Sequence, residues 1–125
     1  MACPSASKDE LLLNGVELFN GGRFFEAHEL WEDAWKRSDG AEKLLYQGLI
    51  HAAAAIIHTR RGNRQGARSQ FGKCLARLSP LPPRFMGLAL EQLLADLRTY
   101  VEVTLKCKSD DPLDSPPPVI RKATA

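Results

Sequence analysis

Apolar residues recur along this chain every three or four positions, the spacing of helices that each bury one face. From Asp9, a suitable N-cap, Leu12, Val16 and Phe19 keep that period, and Asn20-Gly21-Gly22 ends the first predicted helix. A second runs from about Arg23 to Arg37 and stops at Ser38-Asp39-Gly40. The third, about Ala41 to Arg61, differs in kind. Leu44, Leu45, Leu49, Ile50, Ala52 to Ala55, Ile56 and Ile57 leave almost no polar side, so it is expected to be the buried central helix. Its four consecutive alanines let neighbouring helices come close.

After Gly62 a fourth helix, about Arg64 to Leu78, carries Ala67, Phe71, Cys74, Leu75 and Leu78 on one stripe. Ser79-Pro80-Leu81-Pro82-Pro83 halts it, because proline neither donates to nor fits a helix interior. A fifth is predicted from about Pro83 to Cys107, with Leu90, Leu93, Leu94, Leu97, Val101 and Leu105 in register. No segment shows the alternation of a strand. The expectation is an all-α, single-domain bundle of about five helices over residues 9–107. A flexible leader at 1–8 should precede it, and a proline-rich tail at 108–125, extended or disordered, should follow.

A faint internal repeat sharpens this picture. At an offset of 40 residues, Gly22 matches Gly62, Ala27 matches Ala67, Trp31 matches Phe71 and Trp35 matches Leu75. Turn glycine, then small residue, then large filler one turn on is the logic of tetratricopeptide-like antiparallel helix pairs, whose usual period is ~34.

Composition narrows the function classes. Hydrophobic residues are 44% and charged residues 26%, a balance typical of soluble globular domains. Seventeen basic against 15 acidic side chains give a net charge of +2, which makes a nucleic-acid partner unlikely on charge grounds. The run Arg60-Arg61-Gly62-Asn63-Arg64 reads as the solvated surface of a turn. Cys3, Cys74 and Cys107 form no CxxC pair, and Cys74, on an apolar face, reads as inert core. The start MACPSASKDE has no signal-like apolar run, and the stretch Leu49 to Ile57 is too short to span a bilayer. A reduced, cytoplasmic protein with no membrane contact is expected.

The chemistry concentrates in RFFEAHELWEDAW, Arg23 to Trp35. On a helical wheel, Phe24, His28, Trp31 and Trp35 share one stripe, with Glu32 beside it and Glu29 turned towards solvent. On the central helix Gln47, His51 and His58 share another. In an antiparallel hairpin turning at Ser38 to Ala41, the pairs His28–His51 and Glu32–Gln47 both centre between Asp39 and Gly40, so the two rows should meet. His58 lies two turns from His51, about 10 Å along the axis.

Polar groups on a buried face must find partners. A structural network of His28, Glu29, Glu32, Gln47, His51 and His58 is therefore one reading. The other is a metal site. His28, Glu32 and His51 could together hold a divalent transition metal such as zinc. HELWE resembles half of HExxH but has Glu32 where the second histidine must stand, so the protease motif is not met. Phe24, Trp31 and Trp35 read first as core, and alternatively as the apolar floor of a ligand groove.

Three stretches, LFNGGRFFEAHELWEDAW, LLYQGLIHAAAAIIHTRRGN and GKCLARLSPLPPRFMGLAL, together resemble the domain of unknown function 309. This is a small all-helical family with a tetratricopeptide-like arrangement. The likeness covers about residues 10 to 105 and is carried by Phe24 to Glu29, Trp35, Gln47-Gly48 and His58. His51 departs from the family's pattern, where an apolar residue or glutamine is common. The resemblance implies the helical fold and a shared polar site, and no activity. Two functions follow as expectations. The first is a non-enzymatic module that binds a peptide or protein partner, a second copy included, and needs no cofactor. The second is metal binding or metal-dependent hydrolysis at His28, Glu32 and His51.

Overall fold

The computed structural model describes residues 7–106 and 117–122. Five helices form: α1 Lys8–Asn20, α2 Phe24–Lys36, α3 Gly40–Arg60, α4 Arg64–Leu78 and α5 Leu90–Lys106. The protein is an all-α bundle, as the periodicity predicts. The cap of α1 sits earlier than expected: Ser7, not Asp9, accepts from the Glu10 amide at 3.2 Å.

Short turns fold α1 onto α2, α2 onto α3 and α3 onto α4, so each helix packs against its neighbours in the chain. Leu45, Tyr46, Leu49, Ala52, Ala53, Ala55 and Ile56 of α3 are all buried, which makes it the core helix anticipated from its all-round apolar surface. Burying such residues at about 25 cal/mol per Å² of apolar area is what holds the bundle together. No helix among the described residues is long and apolar enough to cross a membrane.

The offset of 40 appears in the backbone. After α1, Gly22 adopts φ 85°, its amide donates to Phe19 O at 3.0 Å, and the Arg23 amide donates to Leu18 O at 2.8 Å. After α3, Gly62 adopts φ 74°, its amide donates to Thr59 O at 3.1 Å, and the Asn63 amide donates to His58 O at 2.9 Å. Both turns use a left-handed residue to satisfy the carbonyls a helix end leaves open, which favours glycine there. Ala27 and Ala67 are fully buried at equivalent places, and so are Ala34 and Cys74, a further match at the same offset.

Two expectations need correction. Residues 84–89 do not open the fifth helix. Arg84–Phe85 and Leu88–Ala89 form a small antiparallel hairpin, β1 and β2, turning through Met86 at φ 49° and Gly87 at φ 76°. Positive φ at both central residues gives the turn whose twist suits a two-residue hairpin. Helix α5 then starts at Leu90, where the Leu90 and Glu91 amides donate to Pro83 O. The second correction concerns the tail. Residues 117–122 run extended but are docked on the body, with Ile120 buried among the core side chains. The leader at 1–6 and residues 107–116 and 123–125 lie outside the described residues.

Candidate functional site

The polar face spans α2, α3 and α4. On α2, His28 Nδ1 lies 3.1 Å from Glu32 Oε1, one helical turn away, and both side chains are partly open to solvent, at 26% and 45%. Phe25, 64% exposed, lays its ring almost parallel to the His28 imidazole, with centroids 6.2 Å apart and planes 13° apart. Both partners follow from spacing: residues three and four apart on a helix are neighbours. An exposed phenyl ring thus lies beside an imidazole that also pairs with a carboxylate one turn further on.

On α3, half-buried His51 turns to α4, where its Nδ1 lies 2.7 Å from Gln70 Oε1. A carbonyl oxygen only accepts, so Nδ1 carries the proton and Nε2 keeps its lone pair. Burial holds the pKa of His51 below its usual value. The positive charges of Lys73, Arg77 and His28 push the same way, while the Gln70 bond opposes them. Helices α2 and α3 pack against each other along the chain. Nonetheless, among the described residues no hydrogen bond joins His28 or Glu32 to Gln47 or His51. Gln47 is half-buried on α3, and Glu29 is exposed on α2. His58, at the end of α3, is bonded through Nδ1 to Asn63 Nδ2 at 3.0 Å. The row on two helices is thus three separate pairs: His28–Glu32, His51–Gln70 and His58–Asn63.

Gln70 is the partner that the sequence reading missed. The rule that aligned α2 with α3 finds it when applied to the next hairpin, since residues 51 and 70 centre at the start of the α3–α4 turn.

Most of the aromatic row is core. Phe24 and Trp31 are buried, edge to face with or tilted against Phe19 at centroid distances of 5.0 and 5.9 Å. They floor no open groove. Trp35 is half-buried under Lys43, whose Nζ stands 4.8 Å from the ring centre. Cys74 is sealed in the core, and burial pushes its thiol up to about 12, so it is protonated and unreactive at neutral pH. Among the described residues no group of three His, Cys, Asp or Glu side chains is placed to share a metal ion. His28 and Glu32 would offer two donors from one helix, while His51 Nδ1 is engaged by Gln70.

Residues 12–70, from α1 into α4, match the family described as Domain of unknown function (DUF309). An uncharacterized protein of Aquifex aeolicus (strain VF5) is 33% identical over 100 residues, which is 79% of this chain and 29% of that relative. The chain therefore spans under a third of the relative's length. The matched stretch, residues 12–70, carries the His28, Gln47 and His58 positions, so it is in this helical core that the chain is similar to the DUF309 family.

Proposed function

We propose that this chain is a non-enzymatic helical interaction module, built of tetratricopeptide-like hairpins, that captures a peptide or protein partner on the polar face of α2 and its neighbours. The observation that carries this reading is the Phe25–His28–Glu32 triplet, in which an exposed aromatic ring lies nearly parallel to an imidazole that pairs with a carboxylate. An exposed aromatic ring beside half-buried hydrogen-bonding groups is the composition of a binding hot spot. The recurrence of one hairpin turn 40 residues apart supports the tetratricopeptide-like description.

The test uses the full chain immobilised as bait, followed by titration of the purified captured segment into wild type, Phe25→Ala and His28→Ala. Under this reading Phe25→Ala weakens binding at least about tenfold, 1.4 kcal/mol, while its melting temperature stays within a few degrees. Unchanged affinity in both variants would refute it. Metal binding at His28, Glu32 and His51 is the rival reading, motivated by the His28–Glu32 pair. Elemental analysis of protein purified without a nickel column decides between them. Stoichiometric zinc that is lost in His28→Ala would favour the rival.

A further inference from the structure

At the other functional candidate in the molecule, a piece of the chain is already bound like a ligand. The side-chain amide of Asn20, at the end of α1, faces the backbone of Ile120. Asn20 Nδ2 donates to Ile120 O at 2.9 Å, and the Ile120 amide donates to Asn20 Oδ1 at 2.7 Å. One residue on, the Ala89 amide of β2 donates to Arg121 O at 2.9 Å, and Leu88 bridges Lys122 in antiparallel sense. Ile120 itself is only 3% exposed, inserted into the core.

Each of these bonds reads main chain. An amide side chain offers one donor and one acceptor, matching the carbonyl and N–H of a single extended residue whatever its side chain. Leu88 and Ala89 add the segment as an extra strand on a sheet edge, a general mode of peptide recognition. Selection rests on the two buried side chains of the segment, Pro118 and, deepest in the core, Ile120. Beside the strap, a groove of about 360 Å³ continues between Tyr100 and Val103 of α5 and Pro118 and Val119.

We infer that Asn20, the edge of β2 and the Ile120 slot form a binding site for an extended peptide centred on a β-branched aliphatic residue, and that residues 117–122 are its resident intramolecular ligand. An incoming segment of the same pattern displaces the strap and takes the same four contacts. This site uses none of the residues of the α2–α4 face, so either can fail without the other.

The experiment uses the full chain and a fluorescein-labelled peptide of residues 115–125, SPPPVIRKATA, followed by anisotropy. Ile120→Asp empties the slot, and this variant is expected to bind the peptide saturably. Binding should weaken at least tenfold when Asn20→Ala is added, or when the peptide carries the same Ile120→Asp change. Wild type should bind it more weakly than Ile120→Asp, because its own strap competes. A folded Ile120→Asp that binds both peptides alike would overturn the inference. Hydrogen exchange of unmodified wild type gives an independent reading. The Ile120 and Ala89 amides should exchange by local opening, faster than the amides of α3. Exchange of Ile120 only with global unfolding would show a permanent structural strand and no site. A concentration-dependent wild-type dimer that Ile120→Asp abolishes would support the site, with a second copy as the source of the incoming strand.

Discussion

Gly48 of α3 lies directly against the side chain of Leu78 at the end of α4, with no room between them for a methyl group. A Cβ built at Gly48 would overlap the leucine's Cγ and Cδ2, and Leu78 is itself fully buried, so it has nowhere to retreat.

Gly48→Ala should therefore destabilise the protein, although alanine is the better helix former by about 1 kcal/mol. Overpacking of a sealed contact costs about 1–3 kcal/mol and is expected to win. Chemical denaturation checks it. Combined with Leu78→Ala, the loss should be clearly less than additive, since the second change removes the clash.

The two tryptophans look alike in the sequence and should behave differently. Trp31 is fully buried, its Nε1 donating to Leu12 O at 3.4 Å and its ring lying over Gly15. Trp31→Ala should cost about 3–5 kcal/mol. Trp35 has a buried Nε1 with no partner among the described residues. Trp35→Phe deletes that unsatisfied donor, so lost area and relieved desolvation nearly cancel, and a change under about 1 kcal/mol is expected. Thermal melts of both variants test the contrast.

Asn63 caps α4, its Oδ1 accepting from the Gly66 amide at 3.0 Å while its Nδ2 meets His58. Asn63→Ala should cost about 1 kcal/mol, the usual loss for an N-cap. Asn63→Asp keeps the cap acceptor and places a negative charge at the helix start, among Arg60, Arg61 and Arg64. It should recover most of that loss, and recovery should shrink at high salt.

His51 gives the protein a pH dependence whose sign is determined. Its folded-state pKa lies below the usual 6.5, chiefly through burial. Between the two values the unfolded chain holds a proton that the folded chain refuses. The contribution is thus whole above pH 6.5, declines as pH falls below it, and levels off once folded His51 also protonates. Denaturation midpoints measured across pH 5 to 8 should lose this component in His51→Gln, which can still bond Gln70.

How far the fold could be read from the residues depended on whether the signal was local. Gly22, Gly62 and the prolines after Leu78 end helices by their own backbone preferences, so those ends are legible. Met86 in a left-handed turn is a different matter. Methionine carries no turn signature, and the leucines at 88, 90, 93 and 94 imitate a helical stripe, so the hairpin reads as the start of a helix opening near Pro83. Ile120 hid for another reason: its partners Asn20 and Ala89 are distant in the chain, and Val119-Ile120 is a short apolar pair after three prolines. At the polar face the i, i+4 pair of His28 and Glu32 is legible from spacing alone, whereas His51 draws its partner from α4, across a different hairpin.

The bond between residue 20 and residue 120 changes what kind of object this protein is. Helices that touch mainly the next one along form an open row, and such a row can fray from either end one layer at a time. Fastening the first helix to residues 117–122 ties the two ends of that row together. Loss of the fastening frees both ends at once, so α1 and the β1–β2 hairpin should loosen together although they share no stretch of chain.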